Sequence, residues 1–236
     1  MKASNYLGSV RVWGLIVVLG LTILSSESSA LLRKGQLGFT GSIVSGFPSS
    51  NFADLTNTGL GVGIELEYFM SNSLSGGLIF NYLPFQGPDL IAETTLSEEW
   101  AVITYGLMAK YHFDPEKEIV PYFKLGGLVT NYSADVSRLY EDPADSFDAP
   151  IDTTLEGFGK LTVTGGVGIR WDINSWVGIS GELLFTKFYD VVHEIHQFKQ
   201  GQQGQKIEVV TRRKVDAQYF NFNLNATFFI GGKKEQ

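Results

Sequence analysis

The residues of this chain best suited to chemistry are three histidines, one serine set between glycines, and a run of acids. His193-Glu194-Ile195-His196 spaces two imidazoles three residues apart. A zinc-protease pattern instead needs a four-residue spacing on a helix, so that both rings reach one ion from the same face. His112 is the third imidazole and stands on the polar side of an alternating segment, where it reads as a hydrogen-bonding residue. Gly178-Ile179-Ser180-Gly181-Glu182 begins like the nucleophile elbow Gly-x-Ser-x-Gly but ends on Glu182, so the final glycine is missing. Between Ser133 and Gly157 the acids Asp135, Glu141, Asp142, Asp145, Asp148, Asp152 and Glu156 face Arg138 alone. That run reads first as a solvated loop; capture of divalent cations is the sharper hypothesis, although no calcium-loop spacing is present. These motifs assign no catalytic residue, no metal ligand and no cofactor.

The elements that carry these residues alternate with a period of two. From Phe220 to Ile230 the phenylalanines, Leu224, Ala226 and Ile230 fall on one face and Asn221, Asn223, Asn225 and Thr227 on the other. The same test predicts eight strands, at 35–47, 59–70, 74–85, 99–113, 118–132, 158–172, 176–190 and 213–230. Ser71-Asn72-Ser73, Asp114-Pro115-Glu116-Lys117 and Ile173-Asn174-Ser175 read as tight turns, whereas 48–58, 86–98, 133–157 and 191–212 read as long polar loops. An even strand count with short turns on one rim and long loops on the other predicts an all-β, eight-stranded antiparallel up-and-down transmembrane barrel. A soluble barrel with its apolar face inward is the alternative, and it gives no reason for that alternation of connections.

The polar face is short and glycine-rich rather than charged throughout, which suits a narrow interior. Lone charges there are costly, so acids and bases should pair. The expected lumen polar network is Glu65, Glu67 and Glu182 against Lys110, Lys124, Lys160 and Arg170. Aromatic residues gather near strand ends and predict two interfacial girdles. One comprises Tyr68, Tyr111, Phe113, Tyr122, Trp171, Trp176 and Phe228 near the turns; the other comprises Phe47, Tyr82, Phe85, Trp100 and Tyr189 near the loops.

Residues 1–30 read as a cleavable signal peptide: Lys2 and Arg11 precede an apolar run from Trp13 to Leu24, and Ser28-Ser29-Ala30 offers a small-residue cleavage site. The barrel domain is then expected over 31–236. Without Lys2, Arg11 and Glu27 the chain keeps 16 basic and 24 acidic residues, which argues against a nucleic-acid partner. No cysteine is present, so no disulfide staples the fold. The chain has 27 glycines and 13% aromatic residues, both at home in a membrane barrel.

Val120-Pro121-Tyr122-Phe123-Lys124-Leu125-Gly126-Gly127 and Gly165-Gly166-Val167-Gly168-Ile169-Arg170-Trp171-Asp172 resemble the fifth and sixth strands of small eight-stranded outer-membrane barrels, the OmpA-like and opacity-type families. The resemblance covers residues 31–236. It implies location in the bacterial outer membrane, insertion by the barrel assembly machinery, contact with lipid and lipopolysaccharide, and a monomer. Arg212-Arg213-Lys214 would then be placed to meet lipid phosphates. Many family members end on an aromatic residue, whereas here Gly231-Gly232-Lys233-Lys234-Glu235-Gln236 follows the last strand. Some barrels of this size modify lipid A; the deacylase among them sets His and Ser two residues apart, and here Asp114, Ile195 and Phe198 stand at those positions. A non-enzymatic structural or surface-interaction role is therefore expected, with a narrow porin-like channel as the alternative.

Overall fold

A computed structural model describes residues 34–53, 56–86, 95–139, 152–200 and 206–231; the expected signal peptide lies outside them. Eight strands form one closed antiparallel barrel in sequence order: β1 (Gln36–Ser49), β2 (Gly59–Phe69), β3 (Leu74–Gln86), β4 (Thr95–His112), β5 (Ile119–Leu139), β6 (Asp152–Asp172), β7 (Val177–Gln200) and β8 (Lys206–Gly231). Closure joins β8 to β1, with Phe39 opposite Phe228 and Ser42 opposite Asn225. Every edge in the closed part is thereby paired, the condition a sheet must meet in hydrocarbon.

The period-two pattern decides which way each side chain points. Leu60, Val62, Ile64 and Leu66 of β2 are exposed, as are Leu161, Val163, Val167 and Ile169 of β6 and Phe220, Phe222, Leu224 and Phe228 of β8. A belt of exposed apolar side chains on this scale has no place in water. Their alternation partners, including Glu65, Glu67, Arg170, Asn221, Asn223 and Asn225, are buried inside the barrel.

The girdles differ from expectation at three residues. Tyr68, Tyr111, Phe113, Trp171, Trp176, Phe228, Phe47 and Tyr82 are exposed and Tyr189 is half-buried, but Phe85, Trp100 and Tyr122 are buried in the interior. Parity explains the reversal: Tyr122 shares its side of β5 with Lys124, and Phe85 and Trp100 face each other in register between β3 and β4. Proximity to a strand end was the weaker guide.

Strand lengths also differ. A spanning strand needs about 9–11 residues, which β2 meets with 11, whereas β7 and β8 run to 24 and 26. The expected loop at 133–157 is strand over 133–139 and 152–157, and the loop at 191–212 is mostly a two-stranded ribbon ending at Gln200 opposite Lys206. Residues 140–151, with most of the acidic run, lie outside the described residues. Alternation marks a strand only when one face meets an apolar surrounding; a ribbon with water on both sides carries no such mark.

Above the membrane belt the wall divides. Pairing of β6 with β7 stops at Thr162 opposite Phe188, while β5–β6 and β7–β8 continue. Two irregularities sit at this height: a register shift between Thr130 and Tyr132, and another between Phe188 and Val191 that contains Asp190 at φ 60°. Gly159, at φ 66°, donates its N–H to Asn131 Oδ1 at 2.8 Å. Such bulges turn a strand out of its ladder.

Candidate functional site

The interior is the place where chemistry-bearing side chains converge, and it is built in layers. Nearest the short turns, Arg170 lies between the rings of Phe69 and Phe229, with its guanidinium carbon 5.6 and 5.1 Å from their centroids. Its Nη2 donates to Asp172 Oδ2 at 3.2 Å; its Nε, 2.7 Å from Oδ1, makes an ion-pair contact without hydrogen-bond alignment.

The next layer holds the charge cluster. Lys110 Nζ donates to Glu65 Oε2 at 2.7 Å and to Glu67 Oε2 at 3.4 Å, and lies 3.6 Å from Glu182 Oε1. Lys124 bridges Glu65 and Glu182, donating to both, with Glu182 Oε2 at 3.0 Å. Ser75 donates to Glu67, and His112 Nε2 lies 3.2 Å from the same carboxylate. Tyr122 donates to Glu182 Oε1 at 2.7 Å, and Asn223 Nδ2 to its Oε2 at 3.1 Å. Each carboxylate thus has several donors, the condition under which buried ions persist.

Of the seven residues assigned from sequence, the structure joins Glu65, Glu67, Lys110, Lys124 and Glu182. Arg170 stands lower, paired with Asp172 instead of a glutamate. Lys160 stands higher, half-buried and in register with Thr130, and no ion pair of it occurs among the described residues. Tyr122 and Ser75 complete the charge layer and Asp172 the layer below it, and none of the three is among those seven. Tyr122 and Asp172 share the inward parity of Lys124 and Arg170 on their strands, which was the available signal.

Above the charges lies a belt of neutral polar groups. Hydroxyls link Thr104 to Thr130 at 3.2 Å, Thr130 to Thr162 at 2.6 Å, and Thr164 to Thr186 at 2.9 Å. Asn221 and Asn225 donate to Thr186 and Ser180. Ser180, the serine of the incomplete elbow, is therefore a hydrogen-bond acceptor for an amide.

The outer end is capped by aromatic residues. Phe52, from a 3-10 turn at Ser50–Phe52, is fully buried and meets Phe85, Trp100 and Phe188 edge-on at 5.3, 5.7 and 5.7 Å. Tyr219 tilts against it at 6.3 Å, and Trp100 stacks on Tyr132 at 5.7 Å. Thr56 fixes the turn, its N–H and hydroxyl both donating to the Phe52 carbonyl. A single phenylalanine in a polar loop has no periodicity, so nothing in the residue order marks the cap.

Among the described residues no group of three or more His, Asp or Glu is placed to hold a metal ion. The side chains of His193, His196, Arg212 and Arg213 lie outside the described ones.

Known folds agree with this architecture. A major outer membrane protein of Thermus thermophilus is 14% identical, with 82% of this chain covering 99% of that one at a TM-score of 0.51. The outer membrane protein OprG of Pseudomonas aeruginosa is 12% identical, with 87% of this chain covering 100% of that one at 0.51. Ail, the attachment invasion locus protein of Yersinia pestis, is 12% identical over 84% of this chain and 99% of its own, at 0.45. No curated protein sequence matches the chain. Residues 16–228 match the family model described as outer membrane protein beta-barrel domain, and this bacterial outer-membrane chain belongs to that family.

Proposed function

We propose that this barrel is a closed, non-conducting outer-membrane scaffold that acts through its outer ribbons, in envelope integrity or surface contact, and not as an enzyme. The observation that carries the reading is the layered interior: ion pairs, a hydroxyl and amide belt, and the Phe52 cap succeed one another along one narrow lumen. An interior of eight strands is just wide enough for its side chains, and here they bond to one another across it. Ser75 Oγ lies 3.1 Å from His112 Nε2, but the hydroxyl donates to Glu67 and both side chains are fully enclosed, so no substrate reaches the pair. The length of β7 and β8 in turn supports display, since their outer halves exceed what the membrane needs.

The surroundings follow from the same reading. The barrel is inserted as a monomer by the assembly machinery, and Arg212-Arg213-Lys214 on β8 supplies positive charge for lipopolysaccharide phosphates. Planar-bilayer recording tests the central claim. Silence across the physiological voltage range is expected; steady unitary openings would overturn it and establish the narrow channel instead. Binding of the refolded protein to lipopolysaccharide-containing vesicles tests the surface role, with loss expected in Arg212→Ala/Arg213→Ala/Lys214→Ala. Equal binding by the variant would remove these residues from the role.

A further inference from the structure

On the outward face of β3 and β4, going up from the short turns, the apolar rows end at Tyr82 opposite Ile103. The next pair is Pro84 opposite Ala101, and above it stands Gln86 opposite Glu99. The wall passes here from hydrocarbon to head groups, the depth at which the amphipathic ring of a tyrosine belongs. The β2–β3 ladder also stops here, at Val62 opposite Tyr82, and Pro84 and Ala101 are too short to fill the space left beside it. A cavity of about 490 Å³ results, on the outer surface of the barrel and not in its lumen. Small-ligand sites span roughly 300–1,000 Å³.

Its two sides differ in chemistry. Leu60 and the rings of Tyr82 and Pro84 make the lower side apolar, whereas Thr58, Gln86, Glu99 and Ser133 surround the upper side. Those four side chains make no hydrogen bond among the described residues, so their hydroxyls, amide and carboxylate are free to donate and accept. Glu99 is the one charged residue in the lining among the described residues. A phosphate, sulfate or carboxylate would therefore meet like charge. A pyranose ring matches the division: its C–H face packs on flat apolar rings while its rim of hydroxyls both donates and accepts. An ammonium group needs only the carboxylate and the tyrosine face, and leaves three polar side chains and most of the volume unused.

We propose that this cavity binds a neutral saccharide ring, with Tyr82 and Pro84 against its C–H face and Gln86, Glu99 and Ser133 meeting its hydroxyls. The site deepens the surface-contact reading above and rests on it. Two sources share this chemistry: the sugars of lipopolysaccharide in the same membrane, and a free glycan at the surface.

The mature chain refolded in detergent is titrated calorimetrically with three probes: lipid A, lipopolysaccharide carrying a hexose core, and the free core oligosaccharide stripped of phosphate. Binding of lipopolysaccharide about tenfold tighter than that of lipid A is expected for the membrane-borne source, and saturable binding of the free oligosaccharide for the other. Equal binding of the two lipids with no uptake of the oligosaccharide overturns the proposal. Ala101→Leu fills the cavity from an outward position, and Glu99→Ala removes its carboxylate; heat-modifiable gel migration shows that each variant is folded. Both should lose about tenfold in the sugar-dependent part of the affinity and leave lipid A binding unchanged. Sugar-dependent binding that survives Ala101→Leu places the sugar elsewhere and overturns the proposal, as does displacement of the sugar by ethanolamine, which would make this an ammonium site. Lipid A binding reads the phosphate contact of Arg212-Arg213-Lys214 by itself, so failure of that reading and failure of this one are seen separately.

Discussion

Tyr122 and Glu182 are on strands that do not touch, yet the phenol donates to the carboxylate at 2.7 Å across the intervening strand. Gly168 makes this possible. It lies in register with Tyr122 on one side and Glu182 on the other, and a Cβ there would collide with the Tyr122 ring. Tyr122→Phe should therefore cost about 1.5–3 kcal/mol, the value of a hydrogen bond to a charged group. Gly168→Ala should cost at least as much, because it displaces the ring as well. In the double variant the two losses should not add, and urea unfolding in micelles would show it. Simple additivity would mean that Gly168 acts independently of the phenol.

Lys124 has the most consequential position in the charge layer, since it is fully buried between Glu65 and Glu182. Lys124→Met leaves Glu65, Glu67 and Glu182 to share the single Lys110 and should destabilise the barrel by about 3–5 kcal/mol. Adding Glu65→Gln should restore part of that loss. A double variant no more stable than Lys124→Met would argue against electrostatic coupling between the two.

Phe52 closes the outer mouth through four aromatic contacts. Phe52→Ala should lower stability by about 3–5 kcal/mol, as large-to-small core changes do. Its conductance is the sharper reading, because the charge layer beneath stays intact: single-channel silence should persist or give way only to brief openings. Large steady openings would place the whole barrier at the cap.

Leu224 faces lipid on β8, 54% exposed and in register with Gly181 and Ile43. Leu224→Arg should cost about 2–4 kcal/mol if it lies at the bilayer midplane. Lys214→Ala, on the exposed ribbon, should change stability by less than about 0.5 kcal/mol. Equal losses at both positions in a lipid-refolded sample would contradict the placement of the belt.

Much of this was legible from residue order alone. Phe-Asn-Phe-Asn in β8 and Gly-Val-Gly-Ile-Glu-Leu-Glu in β2 state which face meets lipid, because successive side chains on a strand point to opposite sides. The tight turns and the even number of alternating segments gave the barrel and its two rims. The partners of the charges were less legible. Arg170 has the inward parity of the glutamates but bonds Asp172, two residues away, and Lys160 sits a layer above the cluster. Parity tells the side of the wall, whereas height depends on the stagger between strands, which no single strand encodes.

By itself, then, the sequence determined an eight-stranded wall with an apolar outside and a polar inside, since both follow from local periodicity and turn chemistry. Only the tertiary structure decided what the inside does. It brought Lys124 between two glutamates, turned Tyr122, Phe85 and Trp100 inward, and set Phe52 over the lumen. Those relations join residues tens of positions apart, and they exist only once closure of β8 on β1 has fixed every strand's register and height.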